Sequence, residues 1–124
     1  MRVTIQGLQE TQRANEYNIA QMKPSGALGR MVQYATILAH RYTVSITHVD
    51  SGGLRASHRM QVEGSRGEIY IDPTATNPRG ALTSKYGPVE HARGGPHAFY
   101  ERTEREAGLS IATEAGQAFV RELR

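Results

Sequence analysis

The sequence predicts an α+β fold: a long core helix packed on a small antiparallel β-sheet, with a hairpin, an extended loop and a C-terminal helix. Three observations predict it. Leu28, Met31, Val32, Ala35, Leu38, Ala39 and Tyr42 recur at i, i+3, i+4, i+7 spacing, the period of one helix face. The stretches HRMQVEG and GEIYIDP alternate apolar and polar residues on either side of a short Gly-containing connection, the pattern of a hairpin. Pro96 opens a run in which Phe99, Tyr100, Thr103, Ala107, Ile111, Ala115, Ala118, Phe119 and Leu123 mark a second helical face. The 124 residues make one domain, with an N-terminal arm or helix over 1–24.

The elements follow in order. Val3 and Ile5 flank Thr4 in a short alternating start, an edge strand or an extended arm. From Gly7 to Gln21 the chain is polar, with Leu8, Ala14, Ile19 and, just beyond, Met22 as its main apolar marks. A helix there is thinly amphipathic and therefore peripheral. Pro24, Ser25 and Gly26 break it, with Ser25 placed to cap the core helix, which is expected from Gly26 to Tyr42. The β-branched run Thr43–Thr47 reads as a segment extending away from that helix. HVDSGGLRAS, residues 48–57, is a turn, because Asp50 and Ser51 bond backbone amides and Gly52–Gly53 relaxes the dihedrals. Gly64–Gly67 forms the hairpin connection. Residues 73–84, with two prolines, a glycine and no periodicity, form an exposed loop. Tyr86–His91 is one helical turn or a strand, Arg93–Gly95 is a joint, and Gly108 is a point at which the last helix can divide.

Composition narrows the function. No cysteine is present, so disulfides, thiolate zinc sites and cysteine nucleophiles are excluded. Hydrophobic residues make up 38% and aromatic residues 6%, a core-poor balance that favours completing burial against partners. No apolar run spans a bilayer, and the first residues lack a signal-peptide core, so a cytosolic setting without a membrane is expected. The net charge is +3, but it is spread thinly: six basic and three acidic groups in residues 1–56, five and four in 57–95, four and five in 96–124. A dedicated nucleic-acid binder concentrates its charge more than this.

Candidate chemistry is sparse. His40, His48, His58, His91 and His97 show no metal-ligand spacing, although His91 and His97 flank a glycine pair, and surface or interface histidines are expected. Asp50 and Asp72 each stand beside a turn former, where capping of backbone amides outweighs acid–base work. No serine has a nucleophile-elbow context, and neither glycine loop is a phosphate cradle. Glu101–Arg105 and Arg102–Glu106 form i,i+4 pairs on a solvated helix face. Asn77, Arg79 and Lys85, in and beside the exposed loop, are candidates for contact with a neighbouring subunit or partner. No catalytic residue, cofactor site or metal site is assigned, and no enzymatic activity is expected.

One pattern goes further. Val49, Asp50, Gly52, Leu54 and Ser57 follow a helix; a hairpin comes next; then Tyr86, Val89 and Glu90; then Pro96 and Phe99 opening the last helix. This order resembles the tail-component family of long-tailed bacteriophages, the lambdoid type of head–tail joining or tail completion protein. Its members carry roughly P-V-D-T-G-x-L-x-x-S, a two-stranded stretch, Y-A-x-x-V-E-x-G and P-x-x-P-F before a C-terminal helix. The likeness runs from about residue 26 to the end of the chain. His48 stands where the family has Pro, Ser51 where it has Thr, and His91–Ala92 where it has an aromatic residue and Gly.

The resemblance implies a structural virion protein of the neck, with no catalysis and no cofactor. Identical subunits close into a ring, sixfold or a multiple, that joins the head connector or stopper to a tail terminator or tail tube. DNA passes through it without sequence recognition. The expected location is the virion, with assembly in the host cytoplasm. Tail terminator and head-closure stopper are alternative roles in the same neck. A small basic nucleic-acid-binding module is the more remote alternative.

Overall fold

The computed structural model describes residues 8–47 and 53–124. Helix α1 runs Leu8–Gln21, α2 Ala27–Ile46 and α3 Gly53–Ala56; strands β1 (His58–Glu63) and β2 (Arg66–Ile71) form an antiparallel hairpin; α4 covers Thr83–Ala92 and, after a 3-10 turn at Gly95–His97, α5 covers Phe99–Arg121. The arrangement is α+β, with a long helix on a hairpin and a C-terminal helix alongside. Val3 and Ile5, and the segment His48–Gly52 with Val49 and Asp50, lie outside the described residues.

The core helix is longer than its apolar stripe suggests. Thr43–Ile46, read from β-branching as extended chain, is the last turn of α2. Tertiary packing overrides the weak helix propensity of these residues: Thr43 is completely buried, and Thr47 Oγ1 donates to the Thr43 carbonyl. Ser25 does not cap the helix. Gly26 holds that position without a side-chain bond, and Gln21 Oε1 accepts the Ala27 N–H at 2.9 Å instead. The cap therefore comes from the preceding helix, a contact beyond the reach of a local capping rule.

Helices α2 and α5 pack antiparallel, as Thr43–Thr103 at one end and Arg30–Glu122 at the other show. Apart from Phe99, the fully buried residues of the two helices are small: Ala27, Ala107 and Ala115, with Thr36, Thr43 and Thr103. Small side chains bring the two backbones close, at the cost of apolar volume. Among the described residues only Leu54 and Phe99 supply large buried apolar side chains.

The hairpin lies against α2. Its connection is two residues, Gly64–Ser65, because Arg66 pairs with Glu63 across the ladder. Gly64 has φ +60°, the conformation a tight hairpin turn asks of its first central residue. At Gly67 a Cβ would collide with Thr36 Oγ1 and lie 3.0 Å from Thr36 Cβ. A strand glycine here marks close backbone approach to a helix.

Three further expectations change. Residues 73–82 are organised, with Thr76 bridging Leu82 and Asn77 N–H donating to Ala81 O at 2.9 Å, and Thr83, expected in the exposed loop, is completely buried at the start of α4. Tyr86–His91 belongs to a ten-residue helix that tolerates Pro88 within it. Gly108 does not divide α5, which is continuous over 23 residues. Helix α1 is peripheral, as its weak amphipathicity implies. It is tied to the body at its C-terminal end by reciprocal bonds between Asn18 and the Arg124 backbone (2.7 and 2.8 Å) and by the Arg124 guanidinium 4.1 Å above the Tyr17 ring.

Candidate interaction surface

Among the described residues, segments 53–57, 86–91 and 96–99 are distant in sequence and adjacent in space. Leu54 is buried in α3, and a Cβ on buried Gly87 would collide with Ile71 Cδ1 and come within 3.0 Å of Leu54 Cδ1. Thus α4 sits flush on α3 and the end of β2. Ser57 Oγ donates to the Gly53 carbonyl, while Ser57 O accepts the Asp72 N–H at 2.8 Å, joining α3 to the hairpin's base. Asp72 acts as a cap, as its place before Pro73 implies: Oδ1 accepts the Thr74 N–H and hydroxyl at 2.9 and 2.8 Å. Those bonds hold its carboxyl below the ordinary aspartate value.

Glu90 completes this corner. Its Oε1 lies 2.7 Å from His97 Nδ1 and 2.9 Å from Arg93 Nη1. Burial pushes the Glu90 carboxyl up, but the Arg93 guanidinium and His97 outweigh it and hold the group below its ordinary value. The His91 ring meets Phe99 edge-on at 5.0 Å between centroids. Residues 86–91 and 96–99 are therefore held together by a polar clasp and an aromatic contact.

The individual residues divide by role. Leu54, Ser57, Tyr86, Glu90 and Phe99 face into the corner or its clasp, whereas Val89, 66% accessible, and Pro96 are exposed. Asn77, expected at a partner contact, is engaged within its own loop: Oδ1 accepts the Arg79 and Ala81 N–H groups at 2.9 and 3.0 Å. Its short side chain replaces a backbone turn. Arg79 and Lys85 are exposed, and among the described residues no hydrogen bond or ion pair engages their side chains.

A second cluster forms around His58, a histidine expected at a surface or interface. His58 is 2% accessible and lies between α2 and α5. Its protonation follows from bond counting. Thr47 Oγ1 gives its one proton to Thr43 O at 2.6 Å, so at 2.8 Å it must accept from His58 Nε2. Nδ1 is then the bare nitrogen that accepts from Tyr100 OH at 3.2 Å. Burial, followed by the His40 and Arg59 charges, lowers the His58 pKa to about 4. Burial likewise raises Tyr100 to about 12. The ring is a neutral strut. Next to it, Thr103 Oγ1 donates to Phe99 O, which leaves Thr43 as the donor in the 2.7 Å Thr43–Thr103 bond. Nothing in the sequence around His58 distinguishes it from the other histidines, because its burial depends on two helices brought in from far along the chain.

The third feature is an open groove of about 440 Å³ between β2, α2 and α5. Ala35, Ala39, Gly67, Ile69 and Ile111 give it an apolar floor, and exposed Glu104 stands in its wall. No motif announces this groove. Its only local sign is Gly67, a glycine inside an alternating strand. Four large apolar side chains are exposed on the helices: Leu109 (84%), Val89 (66%), Val120 (63%) and Ile19 (60%). None of them lines that groove, and single exposed apolar side chains are ordinary on a protein surface.

Among the described residues no three His, Asp or Glu side chains lie close enough to hold a metal ion, and no helix is long and apolar enough to cross a membrane. Comparison of the chain with protein-family models, with curated proteins and with solved structures brings no match.

Proposed function

We propose that this chain is a structural subunit of the neck of a long-tailed bacteriophage. Copies close into a ring between the head connector and the tail tube, and DNA passes through without being read. The virion is its destination, reached by assembly in the host cytoplasm, and it carries neither catalysis nor a cofactor.

The observation that carries this reading is the convergence of the resembling segments. Residues 53–57, 86–91 and 96–99 pack as one corner through Leu54 and Gly87, through Glu90 and His97, and through His91 and Phe99. Their packing as one unit supports a shared structural role for these segments. The build of the subunit agrees: a buried core of small and polar side chains, an apolar groove, and exposed Leu109, Val89 and Val120. A ring is a head-to-tail assembly in which one patch meets a different patch, and closure sets the copy number.

Mass measurement of the purified protein, alone and with isolated tail tubes, tests the reading. One closed copy number, formed alone or on the tube end, is the expected result. A monomer in both conditions would overturn it. Submicromolar duplex binding that collapses between about 50 and about 200 mM salt would instead favour the basic nucleic-acid module, because phosphate contacts impose that slope.

A further inference from the structure

We infer that His91 is a proton-operated cap on α5: its neutral ring closes the first turn of that helix from α4, and its protonated ring lets that turn and the end of α4 go. The inference stands apart from the ring reading and concerns a single subunit.

The first amide groups of a helix find no partner within it and are bonded from outside. At the start of α5 the N-cap position is Ala98, which has no side-chain acceptor. The acceptor comes from another element. His91, in the last turn of α4, directs its Nε2 at the N–H of Glu101, the third residue of α5, at 3.4 Å. That amide is one that an N-cap side chain ordinarily satisfies. The ring is held in this direction by its neighbours. It stands edge-on to Phe99 at 5.0 Å and tilted against Tyr100 at 5.9 Å between centroids, and Phe99 is buried.

An accepting Nε2 carries no proton, so the neutral ring has its hydrogen on Nδ1. A second proton goes to Nε2. It turns the acceptor into a donor facing a donor, and it sets a positive charge at the positive end of a 23-residue helix. Both effects oppose the contact. The contact is therefore made while the ring is neutral and lost as pH falls through its titration.

The charged and titratable groups around the joint do not reverse that sign. On α4, Glu90 is already shared between Arg93 at 2.9 Å and His97 at 2.7 Å. On α5, Glu101 pairs with Arg105 at 3.6 Å, and Arg102 is held by Glu106 and the Pro96 carbonyl. Tyr100 gives its hydroxyl to His58, which reaches the joint from β1 through Phe99 and Tyr100. No unpaired carboxylate among these groups stands ready to take up the new charge.

Three features confine the release. Thr83 anchors the first turn of α4 separately, its N–H and hydroxyl donating to Ala75 O at 3.0 and 3.2 Å. Pro88 has no N–H, so the helix lacks one bond between its first and last turns. Beyond α4, Gly94 and Gly95 have φ +71° and +54° and form a joint of two adaptable residues. His97 keeps that joint tethered, because a proton added to it strengthens its contact with Glu90. The acid form is thus a frayed first turn of α5 and a loosened 89–92, with 83–87 in place.

Nuclear magnetic resonance on the full chain tests this. Ring nitrogen shifts at about pH 8 are expected to show Nε2 of His91 as the bare nitrogen; a neutral ring protonated at Nε2 would overturn the cap without any variant. Amide exchange is then followed from about pH 8 to about pH 5, corrected for its intrinsic dependence on pH. Protection at Glu101 and at 89–92 is expected to fall roughly tenfold in step with the His91 ring's own titration, while 84–87 keep theirs. Protection that does not change across that titration would sink the inference. In His91→Gln, whose side-chain amide does not titrate, the pH response at Glu101 is expected to vanish. The same fall in this variant as in the wild type would assign the response to another group, His58 first among them, and overturn the role given to His91.

Discussion

The two ends of the α2–α5 pair are held by different physics. At one end Thr43, Thr47, Thr103, His58 and Phe99 are each 6% accessible or less, and their polar atoms bond to one another. At the other, Arg30 meets Glu122 with side chains 54% and 40% exposed, and Asn18 binds the Arg124 backbone at the surface. Both ends are rich in polar bonds. Only the first is shielded from water, and shielding decides what a polar bond is worth. An exposed pair exchanges protein for water at little net gain, whereas a buried donor left without its partner costs the desolvation of that group. The molecule therefore has a fixed end, next to the corner of residues 53–57, 86–91 and 96–99, and a lightly held end that carries the α1 arm.

The largest expected effect breaks the fixed end outright. Phe99, 1% accessible, touches His58, His91 and Tyr100 edge-on. Phe99→Ala should destabilise by about 3–5 kcal/mol, measured as the shift in urea unfolding. A loss below about 1 kcal/mol would mean that the fixed end is not packed as described.

Acid should loosen the same end. The unfolded His58 titrates near 6.5 and the folded ring near 4. A group with a lowered folded pKa contributes stability at neutral pH that disappears as pH falls through 6.5 toward 4, because the unfolded state takes up the proton first. The loss is on the order of 2–3 kcal/mol, read from unfolding midpoints at a series of pH values. His58→Gln should flatten that window. An unchanged slope in the variant would show that another group carries it.

The threonine pair sharpens the comparison at smaller scale. Thr43→Val and Thr103→Val should each cost about 1–2 kcal/mol, and the double variant less than their sum, because the second change removes the partner that the first left unsatisfied. Strict additivity in the four-protein cycle would argue against a direct bond. The smallest effect belongs to the light end. Arg30→Ala and Asn18→Ala should change global stability by less than about 1 kcal/mol, yet Asn18→Ala should speed amide exchange throughout α1. Unaltered exchange there would mean that the arm is anchored by something other than Arg124.

Much of the architecture is legible in the chain because it rests on local periodicity. The stripe from Leu28 to Tyr42 declares α2, the alternation around Met60 and Ile69 declares the hairpin, and the i,i+4 pairs Glu101–Arg105 and Arg102–Glu106 form at 3.6 and 3.2 Å. Where the reading departs from the fold, a distant contact has outweighed a local preference. Thr43–Ile46 looks extended by propensity, but Thr43 bonds Thr103, sixty residues on, and the helix continues. Ser25 has the chemistry of a cap, but Gln21 reaches the amide first.

The candidate surface was less accessible to sequence reasoning, because a groove is a relation among elements. Ala35, Gly67 and Ile111 carry no shared signal until α2, β2 and α5 are brought together. What the amino-acid order determines by itself is which stretches coil, which alternate and which turn, since those follow from side-chain period and backbone sterics within a few residues. Which histidine is dry and which threonines pair were decided only on folding. Burial and hydrogen-bond partnership belong to the space between elements, and no single stretch of chain contains them.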